Sequence, residues 1–95
     1  MKNLLRGKIL SFLAEIYPRD VEKVTVIGVF FEYHHVGDIE KALEYLAGRK
    51  YLEKIERPHP YKPHEKIVLF RITPDGIDIT EGTKEDPGIT IVPEP

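Results

Sequence analysis

Asp38–Arg57, DIEKALEYLAGRKYLEKIER, is the stretch whose reading decides the fold. Ile39, Ala42, Leu43 and Leu46 recur at i, i+3, i+4 and i+7, which gathers them on one face of a helix. Asp38 is expected to cap that helix, because its carboxylate can accept from the free N–H groups of the first turn. Gly48 is expected to supply the left-handed exit, and Arg49 and Lys50 suit the negative end of the helix. Tyr51 and Leu52 then return to a core. Glu53–Arg57 opens the first strand of a hairpin.

Working upstream, Asn3 is expected to cap a first helix running to about Tyr17, with Leu5, Ile9, Phe12, Leu13 and Ile16 as its buried stripe. Pro18 stops it, and residues 17–20 form a loop. Val21–Tyr33, VEKVTVIGVFFEY, is ambiguous. Its β-branched and aromatic content favours strand, whereas its place between two helices favours helix. A short isolated strand at Val21–Val24, a cap at Thr25 and a helix of about two turns over Ile27–Glu32 accommodate both signals. His34–Gly37 is then a turn.

Downstream, Lys66–Ile72 is the second strand of the hairpin. Val68, Phe70 and Ile72 share one face, and Ile67, Leu69 and Arg71 share the other. Apolar residues on both faces suggest that the outer one is covered, by a second subunit or by the tail. Three prolines stiffen the intervening loop, Pro58–Glu65. Thr73 and Pro74 carry a cap-and-first-position signature, and Ile77 and Ile79 are placed to pack back on the core. Gly88–Val92 is β-prone and suited to a sheet edge, including one in another subunit.

The 95 residues suffice for one modest core. We divide them into a domain over residues 1–80 and an acidic, Pro- and Gly-containing tail over 81–95. Cysteine is absent, which removes disulfides, thiolate metal sites and a cysteine nucleophile and fits a cytoplasmic protein. No apolar run approaches the roughly 20 residues of a membrane span, and no signal-peptide pattern follows Met1, so no membrane partner is expected. The net charge of −2 is unevenly spread. Six acids against Lys84 leave residues 75–95 at −5, and residues 1–74 therefore carry +3. A mildly basic body is compatible with nucleic acid, although many solvated domains share such an imbalance.

Catalysis finds little support. Ser11 is the only serine and lies within the first amphipathic helix. No nucleophile elbow, phosphate loop or dinucleotide glycine pattern is present, so neither an enzyme nor a cofactor is expected. His34 and His35 are separated from His59 and His64 by an intervening helix and strand without a zinc-like spacing, so no metal site is expected.

The short helix ending near glycine, the Tyr51-Leu52 pair and the alternating strand resemble the third helix and first wing strand of a winged helix-turn-helix domain. The resemblance covers roughly residues 4–73 and requires a helix in the ambiguous segment. ITPDGIDITEGT followed by EDPGI is similar to the C-terminal segment of small prophage-type winged-helix proteins. The implied fold is α+β: a three-helix core, a β-hairpin wing and a short C-terminal extension. The implied function is a homodimeric transcriptional regulator that binds double-stranded DNA, with the third helix in the major groove and the wing on the backbone.

Carried over residue by residue, the helix would offer Lys41, Glu44, Tyr45, Arg49 and Lys50, with Glu40 on the same exposed side. The wing would offer Arg57, His59, Tyr61, Lys62 and His64. Lys41 can donate to guanine and a glutamate can accept from cytosine. Yet Asp38, Glu40 and Glu44 balance Lys41, Arg49 and Lys50, so this helix is close to neutral and wing-dependent contact is expected. Two further readings stay open. Glu40, Lys41 and Glu44 can be a solvated face of paired charges, or the domain can be an interaction module that contacts protein and has no intrinsic DNA binding.

Overall fold

The computed structural model describes Lys2–Pro93. It is a small α+β domain of four helices and a three-stranded antiparallel sheet. In chain order these are α1 (Lys2–Glu15), β1 (Val21–Glu22), α2 (Lys23–Phe30), α3 (Val36–Gly48), β2 (Leu52–Pro58), β3 (Lys66–Ile72) and α4 (Pro74–Glu81). β3 lies between β1 and β2.

The apolar spacing of α3 reads directly onto the core, where Ile39, Leu43 and Leu46 are fully buried and Ala42 nearly so. Its ends differ from expectation. α3 begins at Val36 with the extended His35 as its N-cap, and Asp38 sits within the first turn. There its carboxylate favours the positive helix end without being the cap. Gly48 is the last helical residue, and the left-handed conformation falls two residues later, on Lys50 at φ 66°. The Tyr51 N–H donates to the Leu46 carbonyl and the Lys50 N–H to that of Ala47, the paired bonds of a Schellman exit. Burial of Leu46 and Tyr51 on either side fixes the position of this exit, so a lysine takes the place that favours glycine.

Three other expectations are also corrected. Asn3 lies inside α1, and its side-chain amide donates to the Pro87 carbonyl instead of capping. The buried face of α1 is Leu5, Ile9, Leu10 and Leu13, with Phe12 and Ile16 only half-buried. The extended segment before α2 is not isolated but pairs with β3, and it is confined to Val21 and Glu22 because helix takes over at Lys23, two residues before Thr25, and runs to Phe30. By contrast, Thr73 caps α4 as its sequence indicates: its hydroxyl accepts from the Gly76 N–H at 3.1 Å, with Pro74 in the first turn.

The hairpin register pairs Leu52 with Ile72, Lys54 with Phe70 and Pro58 with Lys66. Phe70 and Ile72 point into the core beside α1 and α3. On the outer face Leu69 is 8% exposed within the single chain, so burying it needs no second subunit. Arg71–Glu53 and Arg57–Asp20 ion pairs of 2.7 and 2.9 Å flank it there.

Gly88–Val92 does not join the sheet. It runs along α1, where the Thr90 N–H donates to the Asn3 carbonyl and Ile89 enters the core. The approach is close: a Cβ on Gly7 would lie 1.8 Å from the Thr90 carbonyl oxygen.

Candidate functional site

α3 and the hairpin loop between β2 and β3 carry the residues nominated from sequence. Lys41 and Glu44 are exposed on α3 because the apolar face opposite them is committed to the core. Glu44 holds Lys54 of β2 at 2.8 Å. This pair connects the outer side of α3 to the helix-facing side of the hairpin. Lys54 is raised above the ordinary lysine value, first by its hydrogen bond to Glu44 and then by that charge. Glu40 is taken up by Lys23 of α2 at 2.7 Å. Lys41 has no ion pair among the described residues.

Tyr45 and Arg49 are engaged by other parts of the chain, Tyr45 half-buried and Arg49 exposed. The Arg6 guanidinium lies 3.5 Å from the centroid of the Tyr45 ring, a cation–π contact, and Gly88 approaches the Tyr45 hydroxyl from the tail. The side chain of Asp86, 2% exposed, accepts from Arg49 at 2.7 Å. It also accepts from the Tyr51 hydroxyl at 2.6 Å and the Gly88 N–H at 2.8 Å. These donors favour the ionised carboxylate over the cost of burial, with Tyr51 contributing most, and hold its pKa down to about 2. The same contact raises Tyr51 and Arg49 above their ordinary values. Lys50 stays exposed at the left-handed exit.

The hairpin residues divide by face. Arg57 lies on the outer face of β2, the face opposite α3 and the core, where Asp20 holds it. The loop itself projects outward. Among the described residues its hydrogen bonds are local: the His59 N–H donates to the Glu65 carbonyl, the Glu65 N–H donates to the Lys62 carbonyl, and the His59 Nδ1 accepts from the N–H groups of Tyr61 and Lys62. With the backbone satisfied this way, Tyr61 is 88% exposed, and Lys62 and His64 point to solvent. Lys62 meets Glu65 at only 3.9 Å, across exposed side chains, where such a pair contributes little.

Lys41, Lys50, Tyr61, Lys62 and His64 are therefore exposed, Tyr45 is half-buried against Arg6, and Arg49 and Arg57 are exposed but each holds a carboxylate. His59 is the half-buried organiser of the loop. Sequence reading passed over Lys54, which the period-2 alternation of β2 would have placed beside α3. It also passed over Asp20 and Asp86, whose partners are 37 residues away in the chain and leave no local signal. Among the described residues no group of three histidine or carboxylate side chains is placed to hold a metal, and no helix is long and apolar enough to cross a membrane. Comparison with protein-family models, with curated proteins and with solved structures finds no match to this chain.

Proposed function

We propose that the chain is a winged helix-turn-helix domain that binds double-stranded DNA as a homodimeric transcriptional regulator, with the hairpin loop as its leading contact. The order α1-β1-α2-α3-β2-β3, with β3 central in the sheet, is compatible with that fold. The observation that carries the reading is the distribution of cations left over after internal pairing. Arg49 and Arg57 each hold a carboxylate at 2.9 Å or less, whereas Lys41 and Lys50 have no ion pair among the described residues and Lys62 has only a loose one, at the helix, its exit and a proline-stiffened loop. Phosphate contact needs cations that give up no internal partner, so the loop and helix exit fit backbone contact better than either arginine. α3 contributes Lys41 beside Glu44 and is nearly neutral, so base readout is the weaker part of the interaction.

Charge reversal tests this. Lys62→Glu combined with Lys41→Glu is expected to weaken binding to a mixed-sequence duplex at least tenfold, each lost phosphate contact also flattening the salt dependence. Unchanged affinity in a correctly folded double variant would overturn the assignment of these residues. A second reading, a protein-contacting winged-helix module, draws on a different observation. α2 is apolar around much of its circumference, yet only Val26 is buried, and Val24, Val29 and the adjoining Phe31 are about half exposed or more. Sedimentation that is insensitive to salt, with no retention of DNA, would favour it.

A further inference from the structure

Backbone accounting exposes an unpaired sheet edge. The Thr73 N–H donates to Tyr51 and the His59 N–H to Glu65, each at 3.0 Å, one pair beyond either end of the β2–β3 ladder. In an antiparallel ladder hydrogen-bonded pairs alternate, so odd-numbered residues of β3 turn their N–H and C=O groups toward β2. Even-numbered residues turn theirs to the opposite edge. β1 occupies that edge only opposite Leu69 and Phe70, because the chain becomes helical at Lys23. Beyond it, Lys66 and the N–H of Val68 face an open edge, and among the described residues no strand covers it.

A groove of about 640 Å³ lies along this edge. One wall is α2, through Val24 and Ile27; the other is the loop, through Pro60 and Tyr61, with Val68 between them. Val24 is 65% exposed, and Phe31, seven residues on, continues the same stripe of α2. Lys23 at the rim is already held by Glu40, so Lys66, which has no ion pair among the described residues, is the cation left to meet an incoming segment.

We propose that this edge is a strand-addition site for an extended segment of a partner protein. The segment continues the line of β1 along Lys66–Val68, sets alternate apolar side chains between α2 and the loop, and presents a carboxylate to Lys66. Unsatisfied backbone donors and acceptors select an extended main chain, and the apolar walls select every second side chain. Lys66 selects a carboxylate at that end of the segment. The loop is shared with the DNA reading, its Pro60–Tyr61 side walling the groove, whereas DNA contact uses Lys41, Lys50 and Lys62.

The test is selection of a displayed random-octapeptide library on the intact protein, followed by titration of the enriched peptide as a synthetic probe. Expected are apolar residues at alternate positions with an acidic neighbour and a dissociation constant on the order of micromolar. N-methylation of every second peptide bond, Val24→Asp and Lys66→Glu are each expected to weaken it at least tenfold. Val24 is exposed in the first turn of α2, where an acid is tolerated, so that variant folds. Absence of enrichment overturns the proposal, as does a peptide indifferent to both N-methylation and Val24→Asp. DNA affinity that is unaltered in Val24→Asp keeps the two functions distinguishable.

Discussion

Two irregular segments of this chain look alike in composition and behave in opposite ways. His59–Glu65, HPYKPHE, and Asp86–Ile91, DPGITI, both lack regular structure and both contain proline. In the second, Asp86 and Ile89 are less than a tenth exposed; in the first, Tyr61 is 88% exposed. The difference lies in where the backbone finds its partners. The tail is joined to α1 by Asn3 and Arg6, which donate to the Pro87 and Gly88 carbonyls, and by the Thr90 N–H. The loop satisfies itself through His59 and Glu65. A segment bonded to a distant element can be buried, because its polar groups take partners with them; one bonded locally is free to project. The tail therefore stabilises the fold, and the loop presents side chains.

Truncation after Glu85 should have the largest effect. It removes the burial of Ile89 and the three hydrogen bonds to the Asp86 carboxylate, a loss of about 5 kcal/mol that leaves a domain this small largely unfolded. Urea unfolding with the midpoint of the full chain would dissolve the contrast between tail and loop. Gly7→Ala comes next. The helix itself would gain about 1 kcal/mol, but the methyl meets a backbone oxygen, so a net loss of about 2 kcal/mol is expected in thermal unfolding.

Asp86→Asn should cost about 2 kcal/mol through weakened charge-assisted bonds to Arg49 and Tyr51. The pH dependence has a definite sign. The folded pKa of Asp86 is depressed to about 2 from 3.8, so its contribution is complete above about 4 and is lost as pH falls toward 2. Denaturant midpoints measured across that interval should drop more steeply for the wild type than for Asp86→Asn. The smallest effect belongs to the loop: Tyr61→Ala should leave stability within about 0.5 kcal/mol. A larger loss would mean that the loop, like the tail, is part of the packed structure.

Most of the α+β framework was legible because it rests on short-range patterns. The i, i+3, i+4, i+7 series in α3 identified its buried residues, and the Thr73-Pro74 pair located the start of α4. α2 was harder because its β-branched residues carry no helical period, and its apolar side chains mostly face outward. Lys50 shows a subtler limit. Glycine marks where a left-handed turn costs least, but the core contacts of Leu46 and Tyr51 set where the turn falls, at about 1 kcal/mol for the lysine. The candidate site was legible as residue types and not as availability. Whether Arg49 or Arg57 is free depends on Asp86 and Asp20, each distant in sequence.

DNA contact through the loop and the exposed side of α3 is the central claim, and fluorescence anisotropy with a mixed-sequence duplex tests it most directly. Between about 50 and 200 mM salt, a protein contacting several phosphates should lose orders of magnitude in affinity. We expect binding at low salt that falls steeply across that interval. No binding at micromolar protein in the low-salt buffer would contradict the claim and leave the protein-contacting module as the better account.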